Sequence, residues 1–144
     1  MSGVHRVVID TSTLIGAVLR PDSVPRRALL LAIRTTALCA SAQTLQELER
    51  VLHRPKFNTF LPWPERLEFL ALVSRYSRLW DIPASHEEAV AGVCRDDGDA
   101  KFLSLALTCQ ADVLISSDAD LLGLHPWRGL PILTPAAFLE QANP

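Results

Sequence analysis

Residues 4–10 read VHRVVID, an apolar, mostly β-branched run closed by an acid. A run of this kind predicts a short strand buried on both faces, the usual state of a strand in a parallel sheet. The period then changes. Leu14, Ile15, Val18 and Leu19 recur at helical spacing over 11–20, so the strand is expected to pass directly into a helix. Residues 111–116, ADVLIS, repeat the theme, again with acids just beyond, at Asp118 and Asp120.

Working outward, further strands are predicted at 35–40, 79–82 and 131–133. Helices are predicted at 26–34 behind Pro25, after a Ser41 cap through Leu45, Leu48, Val51 and Leu52, at 65–76 through Leu67, Leu70 and Val73, at 100–109, and after a Thr134 cap with Pro135 in first position. Residues 85–93 carry no decisive period, and 96–99 read as a polar loop. Strands alternating with helices predict an α/β fold: a three-layer α/β/α sandwich around a central, mostly parallel sheet of about five strands.

Composition sets the bounds. The chain has 144 residues, 49% hydrophobic and 21% charged, which excludes wholesale disorder and suits one domain over 1–144. No apolar run approaches the roughly 20 residues of a membrane span, and MSGVHRVVID has no basic leader with a long apolar core. Three cysteines, Cys39, Cys94 and Cys109, without CxxC spacing suggest neither a disulfide framework nor a zinc site. A cytoplasmic, reducing location is therefore expected. Net charge is −2, so there is no global case for a nucleic-acid binder, but the distribution is uneven. Residues 1–80 hold 11 Arg or Lys against 6 acids, and residues 81–144 hold 3 against 10.

In an open parallel sheet, chemistry gathers beyond the carboxyl ends of the strands. Asp10 and Asp118 stand there. Asp99 precedes the helix 100–109, and Glu47 lies at the edge of an apolar helical stripe. Each acid singly has a structural reading: a helix cap for Asp10 and Asp118, a dipole partner for Asp99, a surface pair with Arg50 or Arg54 for Glu47. Jointly, four carboxylates at one rim would repel unless a cation neutralised them. Oxygen ligands without Cys or His favour Mg²⁺ or Mn²⁺, one or two ions, over zinc. Such ions activate water and stabilise charge on a phosphoryl group, so metal-assisted phosphodiester hydrolysis is the chemistry that fits.

These residues also resemble a known family. VVIDTSTLIGA at 7–17 is similar to the opening motif of PIN domains, a Mg²⁺/Mn²⁺-dependent nuclease fold. QELERVLHRPKF at 46–57, CRDDGDAKFLSLAL at 94–107, ADVLISSDADLL at 111–122 and ILTPAAFLEQ at 132–141 resemble its later blocks in order, the last resembling the toxins of toxin–antitoxin systems (the VapC-like ribonucleases). The resemblance implies that Asp10, Glu47, Asp99 and Asp118 are the catalytic, metal-holding acids. It implies supporting roles for Asp96 and Asp120, and a hydroxyl at Ser116 that orients the cluster. Two departures stand out. Ser12 replaces the usual Asn, turning an amide contact into a hydroxyl contact, and Asp97 and Ala100 replace the common Pro and second Asp of the third block.

The resemblance further implies an endoribonuclease with RNA as substrate and a small cognate antitoxin as partner, with homodimerisation through the helix at 65–76 beside Trp63 and Trp80. Arg20, Arg26, Arg27, Arg50, Arg54 and Lys56 flank the first two acids, and Arg95 and Lys101 the third, as candidate phosphate contacts. Two other readings compete. One is a catalytically degenerate domain that only binds RNA or protein. The other is a haloacid-dehalogenase-like phosphatase with Asp10 as nucleophile; against it, the second acid two residues on is Ser12, and no later Lys stands in a suitable context. His5, His53, His86 and His125 have no ligand spacing, and Cys94 and Cys109 read as core.

Overall fold

A computed structural model describes residues 3–142. Five strands, β1 (Arg6–Ile9), β2 (Ala37–Ala40), β3 (Ser77–Leu79), β4 (Val113–Ile115) and β5 (Ile132–Leu133), form one sheet in the order β3-β2-β1-β4-β5. Every pairing is parallel; Val7, Val8 and Ile9 lie opposite Val113, Leu114 and Ile115. The chain therefore builds outward from β1 in one direction and then jumps to β4 to build in the other. The crevice between the carboxyl ends of β1 and β4 is the topological switch point.

Strand alternation divides the core between the two faces of the sheet. Val7, Ile9, Leu38, Val113 and Ile115 point to one side. They pack there against α1 (Thr11–Leu19), α2 (Val24–Thr35), α3 (Ala42–Leu52), α4 (Trp63–Tyr76) and α8 (Pro135–Ala142). Val8, Cys39, Leu114 and Ile132 point to the other, against α5 (Ala84–Val90), α6 (Ala100–Cys109) and the short α7 (Ala119–Leu122). Val7, Val8, Leu114 and Ile115 are fully buried, each worth about 1.5–3 kcal/mol of transfer free energy. This is the expected α/β/α sandwich. Among the described residues no helix is long and apolar enough to cross a membrane.

Helix starts follow their caps. Asp10 accepts from the Thr13 N–H at 3.0 Å, Ser41 and Thr44 form a reciprocal capping box, and Thr134 Oγ1 accepts from the Ala137 N–H at 3.1 Å. Two expectations need correction. The third strand is Ser77–Leu79, not 79–82; only the Trp80 N–H continues the ladder, to the Ala40 carbonyl at 2.9 Å, before Pro83 ends it. In α4 the buried face is Arg66, Phe69 and Val73, while Leu67 is exposed. The phase is rotated because the Arg66 guanidinium is taken inward by carbonyl acceptors, described below. Residues 85–93 resolve into α5, ended at Gly92, whose φ of +76° is a left-handed turn that glycine adopts without strain.

Candidate active site

Asp10 leaves β1 at the switch point and is almost wholly buried, at 2% exposure. Its Oδ1 takes the Thr13 N–H that starts α1. Its Oδ2 takes the Ser116 hydroxyl at 2.6 Å and the Ser12 hydroxyl at 3.2 Å. Burial pushes this carboxyl above the ordinary carboxylate range, and the hydrogen bonds from Ser116, Thr13 and Ser12 oppose that push. Ser116, fully buried at the end of β4, also accepts the Asp118 N–H at 3.0 Å. One hydroxyl thus locks the two post-strand acids into register.

Asp118 caps α7 through the Leu121 N–H at 3.1 Å. Asp99 occupies the position before α6 but makes no side-chain cap, so its carboxylate is free to face the crevice. Carboxylate oxygens of Asp99, Asp118 and Asp120 lie within 4.8 Å of one another. The Asp99 carboxyl is pushed up to about 7, first by burial and then by the hydrogen bond and negative charge of Asp118, with Asp96 and Asp10 adding to it. The same field and burial raise the neighbouring Cys94 thiol to about 11. Carboxylates crowded until one must hold a proton fit a divalent cation, which would take that proton's place. Asp99 and Asp118 would hold it with Asp120, and Asp10 lines the same cavity.

That cavity, about 350 Å³, is lined by Asp10, Glu47, Asp99 and Asp118 and, on one flank, by Arg50, Arg54 and Lys56. Ser12 lines it too; Asp96 and Asp120 stand outside its lining, and Asp96 spends one oxygen on the Gly98 N–H at 2.9 Å. Glu47 projects from α3 and is already engaged. Its Oε1 accepts from Thr11 Oγ1 at 2.5 Å, and its Oε2 is 2.5 Å from Lys101 Nζ and 3.7 Å from Arg50.

The expected phosphate contacts divide accordingly. Arg50, Arg54 and Lys56 face the cavity, whereas Lys101 is committed to Glu47 and the Gly98 carbonyl. Arg20 is misplaced by the simple flanking argument: the nine residues of α1 carry it to the far end of that helix from Asp10. Arg95 is exposed and does not line the cavity. The histidines do not converge; His86 Nδ1 pairs with Thr108 at 2.8 Å and His125 Nδ1 accepts the Ile132 N–H at 2.9 Å.

Three contributors escape a reading of the acids. Thr11, 7% exposed, orients Glu47, and the Thr13 and Ser117 hydroxyls pair at 2.8 Å between the segments that follow β1 and β4. The hydroxyl run TST after Asp10 was the available signal. Arg66 carried none. Fully buried on α4, it donates to the Leu52 carbonyl and to Asn58 Oδ1, both at 2.5 Å, and lies over the Trp63 ring at 5.3 Å. It ties down the loop that carries Arg54 and Lys56.

The PIN domain family model matches residues 6–120, so all of these acids fall within the matched span. The chain belongs to the PIN domain family. It is 28% identical over 145 residues to an uncharacterised protein of Methanocaldococcus jannaschii, covering 94% of this chain and 90% of that protein. Its fold is similar to that of PAE2754 from Pyrobaculum aerophilum, with a TM-score of 0.67 at 16% identity over 97% of this chain and 98% of that one. It is also similar to a chain in the crystal structure of VapBC2 from Rickettsia felis bound to a DNA fragment from their promoter, with a TM-score of 0.64 at 14% identity over 90% of this chain and 98% of that chain.

Proposed function

We propose that the chain is a divalent-metal-dependent endoribonuclease, the toxin of a toxin–antitoxin pair, acting in the cytoplasm as a single domain over 1–144. The observation that carries this reading is the meeting of Asp99, Asp118 and Asp120 within 4.8 Å, at the edge of a crevice that Asp99 and Asp118 share with Asp10 and Glu47 and that Arg50, Arg54 and Lys56 flank. A bound Mg²⁺ or Mn²⁺ supplies charge neutralisation at the phosphoryl group and a lowered pKa for water. The chain's own part is positioning. Asp10, buried and hydrogen-bonded three ways, is a rigid fixture of the site, and Ser116 sets its distance from Asp118. The basic flank draws the RNA backbone along the cavity wall, as like-signed acids alone would repel it. RNA and a small antitoxin that blocks the crevice are the proposed partners. The VapBC2 likeness in fold and the PIN membership support that choice.

A second reading, a domain that binds RNA without cutting it, is favoured by one contact: Lys101 already neutralises Glu47. The phosphatase alternative fares worse, since both Asp10 oxygens are occupied as acceptors, a poor arrangement for a nucleophile. The deciding experiment is Mn²⁺ titration by calorimetry at neutral pH on the wild type and on the Asp10→Asn, Asp99→Asn double variant, followed by cleavage of single-stranded RNA. Saturable binding lost in the variant, with Mn²⁺-dependent cleavage lost in Asp10→Asn, is the expected result. Wild-type binding of RNA with no metal uptake and no cleavage would establish the binding-only domain.

A further inference from the structure

A second cavity, about 420 Å³, adjoins the acidic one, and the Glu47–Lys101 ion pair forms the partition: Glu47 lines the acidic cavity and Lys101 the other. We propose that this second cavity is a base-recognition subsite, which takes an unpaired nucleobase bearing an exocyclic amino group from an RNA strand whose phosphate lies at the acids. The inference rests on the nuclease reading above and adds to it which part of the RNA is read.

Three features carry the proposal. The first is continuity. Gln43 and Glu47 are four residues apart on α3, so they share a face one helical turn apart, about 5.4 Å. Gln43 lines the second cavity and Glu47 the first. Asp97 and Lys101 repeat that spacing where α6 begins, and both line the second cavity. A strand lying along the acidic cavity meets the second one within a single nucleotide step.

The second feature is the lining. Ile82 after β3 and Val90 on α5 give an apolar wall of the kind that covers the face of a ring. The third is the sign of the polar groups. Glu87 and Asp97 are carboxylates, and Lys101, the cation here, is held by Glu47 and the Gly98 carbonyl. A phosphate would be repelled. Carboxylates accept hydrogen bonds and donate none when ionised, so they select an amino group on a base edge; Gln43 both donates and accepts and can close a bidentate pair. Adenine, cytosine and guanine offer the amino group, and uracil does not.

The test is equilibrium binding, read by fluorescence anisotropy in EDTA so that no cleavage intervenes. The probes are four oligouridines, each with one central position set to A, C, G or U. The wild type is expected to bind at least one amino-bearing oligomer about 10-fold more tightly than the all-uridine strand, the discrimination typical of one good bidentate contact. Gln43→Ala and Glu87→Gln, both at exposed positions where the fold is indifferent, are expected to bind every oligomer as weakly as the wild type binds oligouridine. Arg54→Ala is expected to weaken all four equally. RNA bound without base preference, or a preference that survives both Gln43→Ala and Glu87→Gln, would overturn the subsite and leave the nuclease reading standing. No RNA binding by the wild type in EDTA would overturn the subsite, while the nuclease reading stands or falls on the Mn²⁺ titration and cleavage above.

Discussion

The Ser116 hydroxyl donates to Asp10 Oδ2 at 2.6 Å and accepts the Asp118 N–H at 3.0 Å, so a single side chain couples the ends of two neighbouring parallel strands. The coupling lies just beyond the strand ladder, since β1 and β4 stop at Ile9 and Ile115. The Asp10 N–H also reaches across, to the Ile115 carbonyl at 3.0 Å, and the Thr13 and Ser117 hydroxyls pair at 2.8 Å.

Ser116→Ala would leave the Asp10 carboxylate, 2% exposed, short of its closest donor, and the Asp118 N–H without its acceptor. An unmet buried polar group costs about 1–3 kcal/mol. The expected outcome is an unfolding free energy lowered by that amount, seen as a lower denaturant midpoint with an unchanged m-value, together with weaker Mn²⁺ uptake. Ser116→Thr, which keeps the hydroxyl, should recover the metal affinity in part. Equal affinity in wild type and Ser116→Ala would show that the hydroxyl does not organise the acids.

The pH dependence follows from Asp99. Its carboxyl sits at about 7 in the folded chain, against 3.8 for the free group, chiefly through burial and then the bond and charge of Asp118. Between those values the folded state holds more protons than the unfolded state, so metal-free stability falls as pH rises from about 4 to 7. Asp10, shifted in the same direction, adds to the slope. Melting of the metal-free protein across that range should show the decline. Asp99→Asn should flatten it, and Mn²⁺ should remove it while binding more tightly as pH approaches 7. A rising or level profile in the wild type would contradict the crowding of these acids.

Lys101 competes with any cation for Glu47, whose Oε2 it meets at 2.5 Å with both side chains largely shielded, at 22% and 15% exposure. Removing that positive charge should therefore act in two directions. Lys101→Met is expected to lower stability by about 1 kcal/mol, the coupling of a partly buried pair, because only the contact with the exposed Arg50 and the Thr11 hydroxyl remain for Glu47. The same substitution is expected to tighten Mn²⁺ binding, since it removes a repulsive charge from the rim. Calorimetry showing weaker binding in Lys101→Met would mean that the lysine organises the site rather than competing with the metal.

Much of this arrangement was legible before any coordinates. VHRVVID and ADVLIS announce two buried strands because continuous apolar runs have no other stable place in a short α/β chain, and the acids behind them follow the switch-point rule. The dual nature of those acids was less visible. Asp10 and Asp118 cap helices and also line the crevice, so a capping role does not take either acid out of the candidate site. Glu47 and Lys101 lie 54 positions apart, and nothing local marks them as partners. The α4 face was misphased at Arg66 because periodicity counts an arginine as polar, whereas a guanidinium can be buried when its terminal nitrogens find oxygen acceptors, as here, where both do and Nε does not.

Arg66 also yields the sharpest test of how the basic wall is held. It has no acidic partner among the described residues, and its charge is met by the Leu52 and Arg54 carbonyls and by Asn58 Oδ1, with Trp63 beneath it and His53 stacked on that ring at 3.8 Å. Every acceptor lies in or beside the turn that presents Arg54 and Lys56 to the cavity. Arg66→Ala would open a void and strip the guanidinium from the Leu52 carbonyl and Asn58 Oδ1, while the Arg54 carbonyl keeps the Phe57 N–H, a loss of about 3 kcal/mol. Arg66→Lys keeps the charge but lacks the planar fork that reaches the carbonyls and the amide together, so it should restore stability only in part. In both variants the affinity for oligouridine in EDTA should fall and the salt dependence of binding should flatten, because Arg54 and Lys56 no longer stand in fixed positions. Mn²⁺ affinity should be unchanged, as the acids sit on other elements. Loss of metal affinity in Arg66→Lys would show that the turn supports the acidic cluster as well as the basic wall.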